Sequence, residues 1–186
     1  MKTRIAWVVA AVAAVGFAAT ARPAASHSES SPMSAIAATS EQWGSVAGFI
    51  TKAAEQVPES SYAWKPTPAV RSFGQLIGHL AGTQDLMCGA ILGEKTNAED
   101  SVEKGITSKA ALVDAIKASN EKCKKAYAIS ESASGKSIKL FGEEHTGLYW
   151  LIGNMGHDNE HYGNIVTYMR LNKMVPPSSR PRAGGN

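Results

Sequence analysis

Two histidines, His157 and His161, stand four residues apart in the last long apolar stretch of the chain, in the run His157-Asp158-Asn159-Glu160-His161. On a helix that spacing places both imidazoles on one face, one above the other, so both rings can reach a single metal ion. A third ligand must come from another segment. The candidate is His79, the only histidine inside another helical stretch. Neutral imidazole suits zinc, nickel, copper and iron. The expected occupant is a divalent transition metal, zinc first, with nickel, manganese or iron as alternatives. Three protein ligands leave coordination positions open to water or substrate, as in catalytic rather than structural zinc sites. Zinc in such a site lowers the pKa of its water to about 7. Glu160 is a candidate for proton transfer. Asp158 and Asn154, the latter nearly one turn before His157, are candidates for supporting the ligands from behind.

Plainer readings stand beside these. A lone histidine in a core usually satisfies a hydrogen bond and binds nothing. Asp158 and Glu160 also read as solvated carboxylates, Asp158 the more so. The run matches the H-x-x-E-H signature of inverted zincins, with Glu160 as general base. Those enzymes take a further ligand from well downstream, whereas here only a short tail without carboxylates follows. His145 reads as a loop residue and His27 as part of a linker.

Four helical segments must position the three histidines. In the first, over residues 35–57, Ile36, Trp43, Val46, Ile50, Ala53 and Val57 recur at three- and four-residue steps and mark one apolar face; Pro58 closes it. Residues 59–70, with Trp64, Pro66 and Pro68, form a loop that Tyr62 and Trp64 pack onto the bundle. The second helix starts at Ser72 with a Ser72-x-x-Gln75 capping box, carries His79 mid-way, and ends at Gly93. Residues 93–107 read as a surface connection. At ~3.3 Å per residue it spans about 50 Å, enough to run back along a helix of about 30 Å, so the third helix can lie parallel to the second. Ser108 caps that third helix, which Ser- and Gly-rich residues 130–139 end. Ile138, Leu140 and Phe141 form a short apolar patch over one end of the bundle. The fourth helix runs from about Thr146 to Asn172 and is apolar over much of its circumference, as a core helix is. Pro176-Pro177 stops it. No internal repeat and no strand is expected.

The start of the chain carries a different signal. Lys2 and Arg4 precede an apolar run over residues 5–19 and the small-x-small site Ala19-Thr20-Ala21. This is the layout of a secretory signal peptide, and the run is short of the roughly 20 residues that cross a bilayer; an uncleaved anchor is the alternative. The expected organisation is a signal peptide (1–21), a disordered Ala/Ser/Pro-rich linker (22–34), a helical bundle (35–179) and a polar tail (180–186), with export to the periplasm or medium. The chain has 19 basic and 16 acidic residues; without Lys2 and Arg4 the remainder is close to neutral. No cluster of Lys and Arg marks a nucleic-acid footprint. The two cysteines can pair in an oxidising compartment.

Several stretches together resemble the DinB family (DinB/YfiT-like proteins). They are Tyr62-Ala63-Trp64-Lys65-Pro66-Thr67-Pro68, then Val70-Arg71-Ser72-Phe73-Gly74-Gln75-Leu76-Ile77-Gly78-His79. Near the end come Glu160-His161-Tyr162-Gly163-Asn164-Ile165-Val166-Thr167-Tyr168-Met169-Arg170 and Val175-Pro176-Pro177-Ser178. The likeness covers residues 43–179. It implies an all-α, four-helix bundle of up-down-down-up topology, a divalent metal on His79, His157 and His161, and frequent homodimers. Some relatives are transferases or isomerases that use mycothiol or bacillithiol; export sets this chain apart from them, because such thiols are chiefly cytoplasmic. The implied topology makes the second and third helices parallel, which puts Cys88 and Cys123 at nearly equal heights and implies a disulfide between them. Three functions follow as expectations: a metal-dependent hydrolase or transferase of small molecules, a non-catalytic metal- or ligand-binding envelope protein, or a structural bundle.

Overall fold

The computed structural model describes residues 33–181. The expected signal peptide, nearly all of the linker and the last residues of the tail lie outside the described residues. Four long helices make the body: α1 (Ala35–Gln56), α2 (Phe73–Leu92), α4 (Lys109–Ala126) and α6 (Gly147–Leu171), with two short ones, α3 (Ser101–Gly105) and α5 (Glu131–Ser134). A hairpin of β1 (Ser137–Leu140) and β2 (Glu143–Thr146) precedes α6, and 3-10 turns lie at Glu59–Ser61 and Pro177–Ser179. None of the described helices is long and apolar enough to cross a membrane.

Local chemistry sets the ends of each long helix. Ser34, Ser72, Ser108 and Thr146 each accept a hydrogen bond from the third residue beyond, satisfying a backbone donor that the helix cannot. At α2 the capping box is complete, with the Ser72 amide donating to Gln75 Oε1 at 2.8 Å. Gly93 ends α2 with φ 73°, in the left-handed region that glycine enters freely.

The helix directions follow from which residues meet. Gly74 and Gly78 lie against Leu112, Gln84 against Ser119, and Cys88 against Cys123, so α2 and α4 run parallel. Trp43 meets Asp158 and Phe49 meets Tyr162, so α1 and α6 are parallel. Arg71 with Tyr168, His79 with His157 and Met87 with Gly153 make α2 and α6 antiparallel. Trp43 with Tyr127 and Thr51 with Asn120 do the same for α1 and α4. The result is the up-down-down-up bundle. Its main core joins Val46, Ile50, Leu76, Ile77, Leu80, Leu112, Ile116, Ile165 and Met169, and every residue of the expected α1 face is buried.

Parallel α2 and α4 bring Cys88 and Cys123 within 5.1 Å (Cα to Cα), where they form a disulfide 35 residues apart in sequence, with neither cysteine exposed. In the chain-entropy model a loop of that size contributes about 4 kcal/mol. A Cys88→Ala/Cys123→Ala variant should therefore melt about 8–16 °C lower by scanning calorimetry under non-reducing conditions. Equal melting temperatures would show that the bridge does not constrain the unfolded chain.

The structure differs from the sequence reading at four places. The connection after α2 contains α3. Five residues are too few for helical periodicity to register, and the segment is held by close approach to glycines. A Cβ at Gly78 would lie 2.8 Å from the Cα of Glu103, and one at Gly82 would collide with the Glu99 carbonyl. Residues 130–146 hold α5 and a β-hairpin where no strand was expected. Phe141 (φ 51°) and Gly142 (φ 84°) both occupy left-handed backbone in a two-residue turn. That turn prefers Asn or Asp in its first position, so Phe141 hides it. In the apolar patch Leu140 is buried with Met87 and Trp150, but Phe141 is 55% exposed. In α6, Tyr149, Ile152 and Leu171 face solvent, so its apolar surface is narrower than composition suggested.

Candidate metal centre

His79 projects from the middle of α2, and His157 and His161 from one face of antiparallel α6. The three imidazoles meet between the two helices, with one ligand-capable atom from each lying within 4.8 Å of the others. His79 Nε2 and His157 Nε2 are 3.0 Å apart. Two nitrogens on one tetrahedral zinc at ~2.0–2.1 Å lie about 3.3 Å from each other, so this pair is already near ligating separation. The contact also permits a hydrogen bond between two neutral rings, but that would use only two of the three converging side chains.

The Nδ1 atoms of all three histidines are buried and have no hydrogen-bond partner among the described residues; in His79 and His157 these are the nitrogens opposite the close Nε2 pair. Behind two of them stand carboxylates: Glu103 Oε2 lies 3.7 Å from His79 Nδ1, and Asp158 Oδ1 lies 3.8 Å from His157 Nδ1. A metal-bound histidine commonly donates its other N–H to a carboxylate, which selects the tautomer and aims the free nitrogen at the ion. The donor set, its spacing and these two carboxylates all fit a bound divalent metal.

Each carboxylate is anchored in turn. Glu103, on α3, receives the Arg71 Nε at 3.1 and 3.0 Å. Asp158 is completely buried. Its Oδ2 accepts from Trp43 Nε1 at 3.0 Å and from Gln84 Nε2 at 2.8 Å, while Gln84 Oε1 accepts from Ser119 at 2.8 Å. One residue from each long helix thus joins a polar layer ending at His157. This corrects the reading of Asp158 as a solvated carboxylate. Burial pushes its carboxyl above the usual range, opposed by its neighbours. Burial also holds His79 down to about 3, with Arg71, His157 and His161 adding to the effect. Burial and then His157 hold His161 down to about 4. Both rings therefore stay neutral, with lone pairs available, across the ordinary pH range.

The other expected residues are placed differently. Glu160 is exposed and touches the site only through its charge, which opposes the lowering of His161. Asn154 is fully buried, but its amide donates to Tyr127 Oη at 3.2 Å rather than to a histidine. Its partner is the hydroxyl of Tyr127, whose ring stacks on Trp43. His145 lies on β2, stacked on Tyr149, outside the histidine group.

A model of the DinB superfamily matches residues 49–165, more than half of the chain. The chain belongs to the DinB superfamily. Among solved structures, this DinB chain resembles a DinB-like protein from Bacillus cereus (TM-score 0.64, 16% identity, 75% of this chain and 93% of that one). It also resembles a DinB-like protein from Bacillus subtilis (TM-score 0.55, 20% identity, 78% and 99%). A mycothiol-dependent maleylpyruvate isomerase gives a TM-score of 0.58 at 15% identity, over 70% of this chain and 60% of that enzyme. These likenesses establish the fold. Comparison with curated protein sequences gives no match.

Sequence reasoning missed Glu103, Arg71, Gln84, Trp43 and Ser119 as parts of the site. One signal was available for Glu103. Gly74, Gly78 and Gly82 recur every four residues on α2, a stripe that lets another segment approach the helix beside His79. Exchanging Glu103 for Gln keeps the shape and removes the charge behind His79. Zinc affinity, measured by competition with a chromophoric chelator, should fall about 10–100-fold with the circular dichroism unchanged. Unaltered affinity would show that Glu103 serves only Arg71.

Proposed function

We propose that this protein binds a divalent transition metal, zinc first among candidates, through His79, His157 and His161, and acts on small molecules as a hydrolase or transferase. The observation that carries the reading is the convergence of three buried or half-buried imidazoles from two helices on one point. When bound, the metal would supply Lewis-acid activation of water or of a substrate thiol. The chain's own part is to hold the ligands. Glu103 and Asp158 orient His79 and His157, and the surrounding core keeps His79 and His161 unprotonated. Three protein ligands would leave the ion open to water or substrate. The mycothiol-dependent enzyme among the structural relatives makes thiol adducts one substrate class to assay beside esters and amides.

Elemental analysis of the purified protein tests the site: one transition metal per chain is expected, and none in a His79→Ala variant. Metal-loaded protein that turns over no ester, amide or thiol adduct would leave metal binding and remove the enzymatic half of the reading. Export and homodimerisation belong to the same proposal. The Lys2/Arg4, apolar and Ala19-Thr20-Ala21 order supports export, as does a buried disulfide, which suits an oxidising compartment. N-terminal sequencing of the native protein should begin near Arg22, and light scattering should give twice the chain mass.

The histidines also set a pH dependence. The folded values of His79 and His161 lie near 3 and 4, whereas in the unfolded chain they return to about 6.5. Between those limits the unfolded state binds more protons, so metal-free stability falls as pH falls from about 6.5 through 4. Melting curves over that range should show the fall, and a His79→Asn/His161→Asn variant should show less of it. A parallel fall in both proteins would assign the effect to other groups.

A further inference from the structure

Beside the histidines an open cavity of about 770 Å³ is lined by Lys65, Arg71, Glu103, His161, Asn164 and Tyr168. Its polar groups are unequally committed. Tyr168 Oη donates to the Arg71 carbonyl at 2.8 Å, and Glu103 is taken up by the Arg71 Nε and faces His79. Among the described residues the terminal nitrogens of Arg71 have no acceptor, and the side chain is 40% exposed. The Lys65 ammonium, also exposed, has the Pro68 carbonyl, at 3.2 Å, as its one hydrogen-bond partner among the described residues. With neutral imidazoles the metal would keep its full double charge. Glu103 offsets Arg71, and Lys65 is left uncompensated. Arginine's planar fork is the group that best receives a carboxylate through two parallel hydrogen bonds.

From this we infer that the cavity takes a small organic carboxylate, its acid group on the Arg71 fork with Lys65 nearby and its reactive end toward His161. The inference rests on the metal-site reading and names the substrate class for it. The probes are benzoate and succinate against their neutral amides, titrated calorimetrically into the full exported protein with and without zinc, each sample's zinc content being measured. The acids should bind at least ten-fold more tightly than the amides. Arg71→Gln should abolish that preference. Lys65→Gln, at an exposed position that leaves Glu103 and His79 untouched, should reduce it several-fold with zinc retained. Equal binding of acids and amides by zinc-loaded wild type, or a preference unchanged in both variants, overturns the inference while leaving the metal site standing. If the wild type takes up no zinc, the metal reading fails instead. The same titrations on the metal-free protein then decide the carboxylate inference by whether Arg71 and Lys65 alone sustain a preference.

Discussion

Alanine at His157 should lower zinc affinity by more than about 100-fold, beyond the 10–100-fold that changes behind a ligand produce. His157 sits at the junction of the site. Its Nε2 faces His79 Nε2 at 3.0 Å, and its Nδ1 looks toward the carboxylate of Asp158. Removing the ring takes away one of the three proposed ligands and would leave His79 and His161 to hold an ion with water. His157 is the most exposed of the three, its side chain 22% accessible, so its loss opens little space in the core. Thermal stability without metal should therefore change little, while the stabilisation that added zinc gives the wild type disappears. Competition titration and melting with and without zinc separate these effects. Wild-type affinity in the variant would mean that the three rings do not share an ion.

The second large effect is on the fold. Asp158→Ala removes the acceptor for Trp43 Nε1 and Gln84 Nε2, both donors being at the centre of the bundle. A buried donor left without a partner costs about 1–3 kcal/mol, so two of them, with the space vacated, should lower stability by about 3–6 kcal/mol. Urea denaturation should show a lower midpoint at nearly constant slope. Asp158→Asn keeps an oxygen for the two donors and should cost less, yet it removes the negative charge behind His157 and should still weaken zinc binding. If the alanine variant is as stable as wild type, the layer linking Trp43, Gln84, Ser119 and Asp158 is not formed.

The four long helices and the surroundings of the histidines were open to different kinds of reading. The face of α1, the capping box at Ser72, the stop at Gly93 and the bounds of α6 depend on residues within a turn or two of each other, so periodicity and caps reveal them. The spacing of His157 and His161 is a local fact of the same sort. The β-hairpin escaped because its turn places Phe141 in backbone that rarely holds phenylalanine. Asp158 was among the candidate supporting residues, but its burial escaped, because burial is not a property of an aspartate's neighbours in sequence. It depends on Trp43 and Gln84, 115 and 74 residues away.

By itself the sequence determined the all-helical bundle, the paired histidines and the choice of His79 as their partner, because helical periodicity converts spacing into direction. Only the tertiary structure decided what stands behind those histidines. Glu103 reaches His79 because α3 packs against glycines of α2, and Asp158 is secured by Trp43 of α1 and by Gln84 of α2, which Ser119 of α4 holds in turn. Hydrogen bonds between elements far apart in the chain leave no periodic trace, since they form wherever the packed helices bring a donor and an acceptor within about 3 Å.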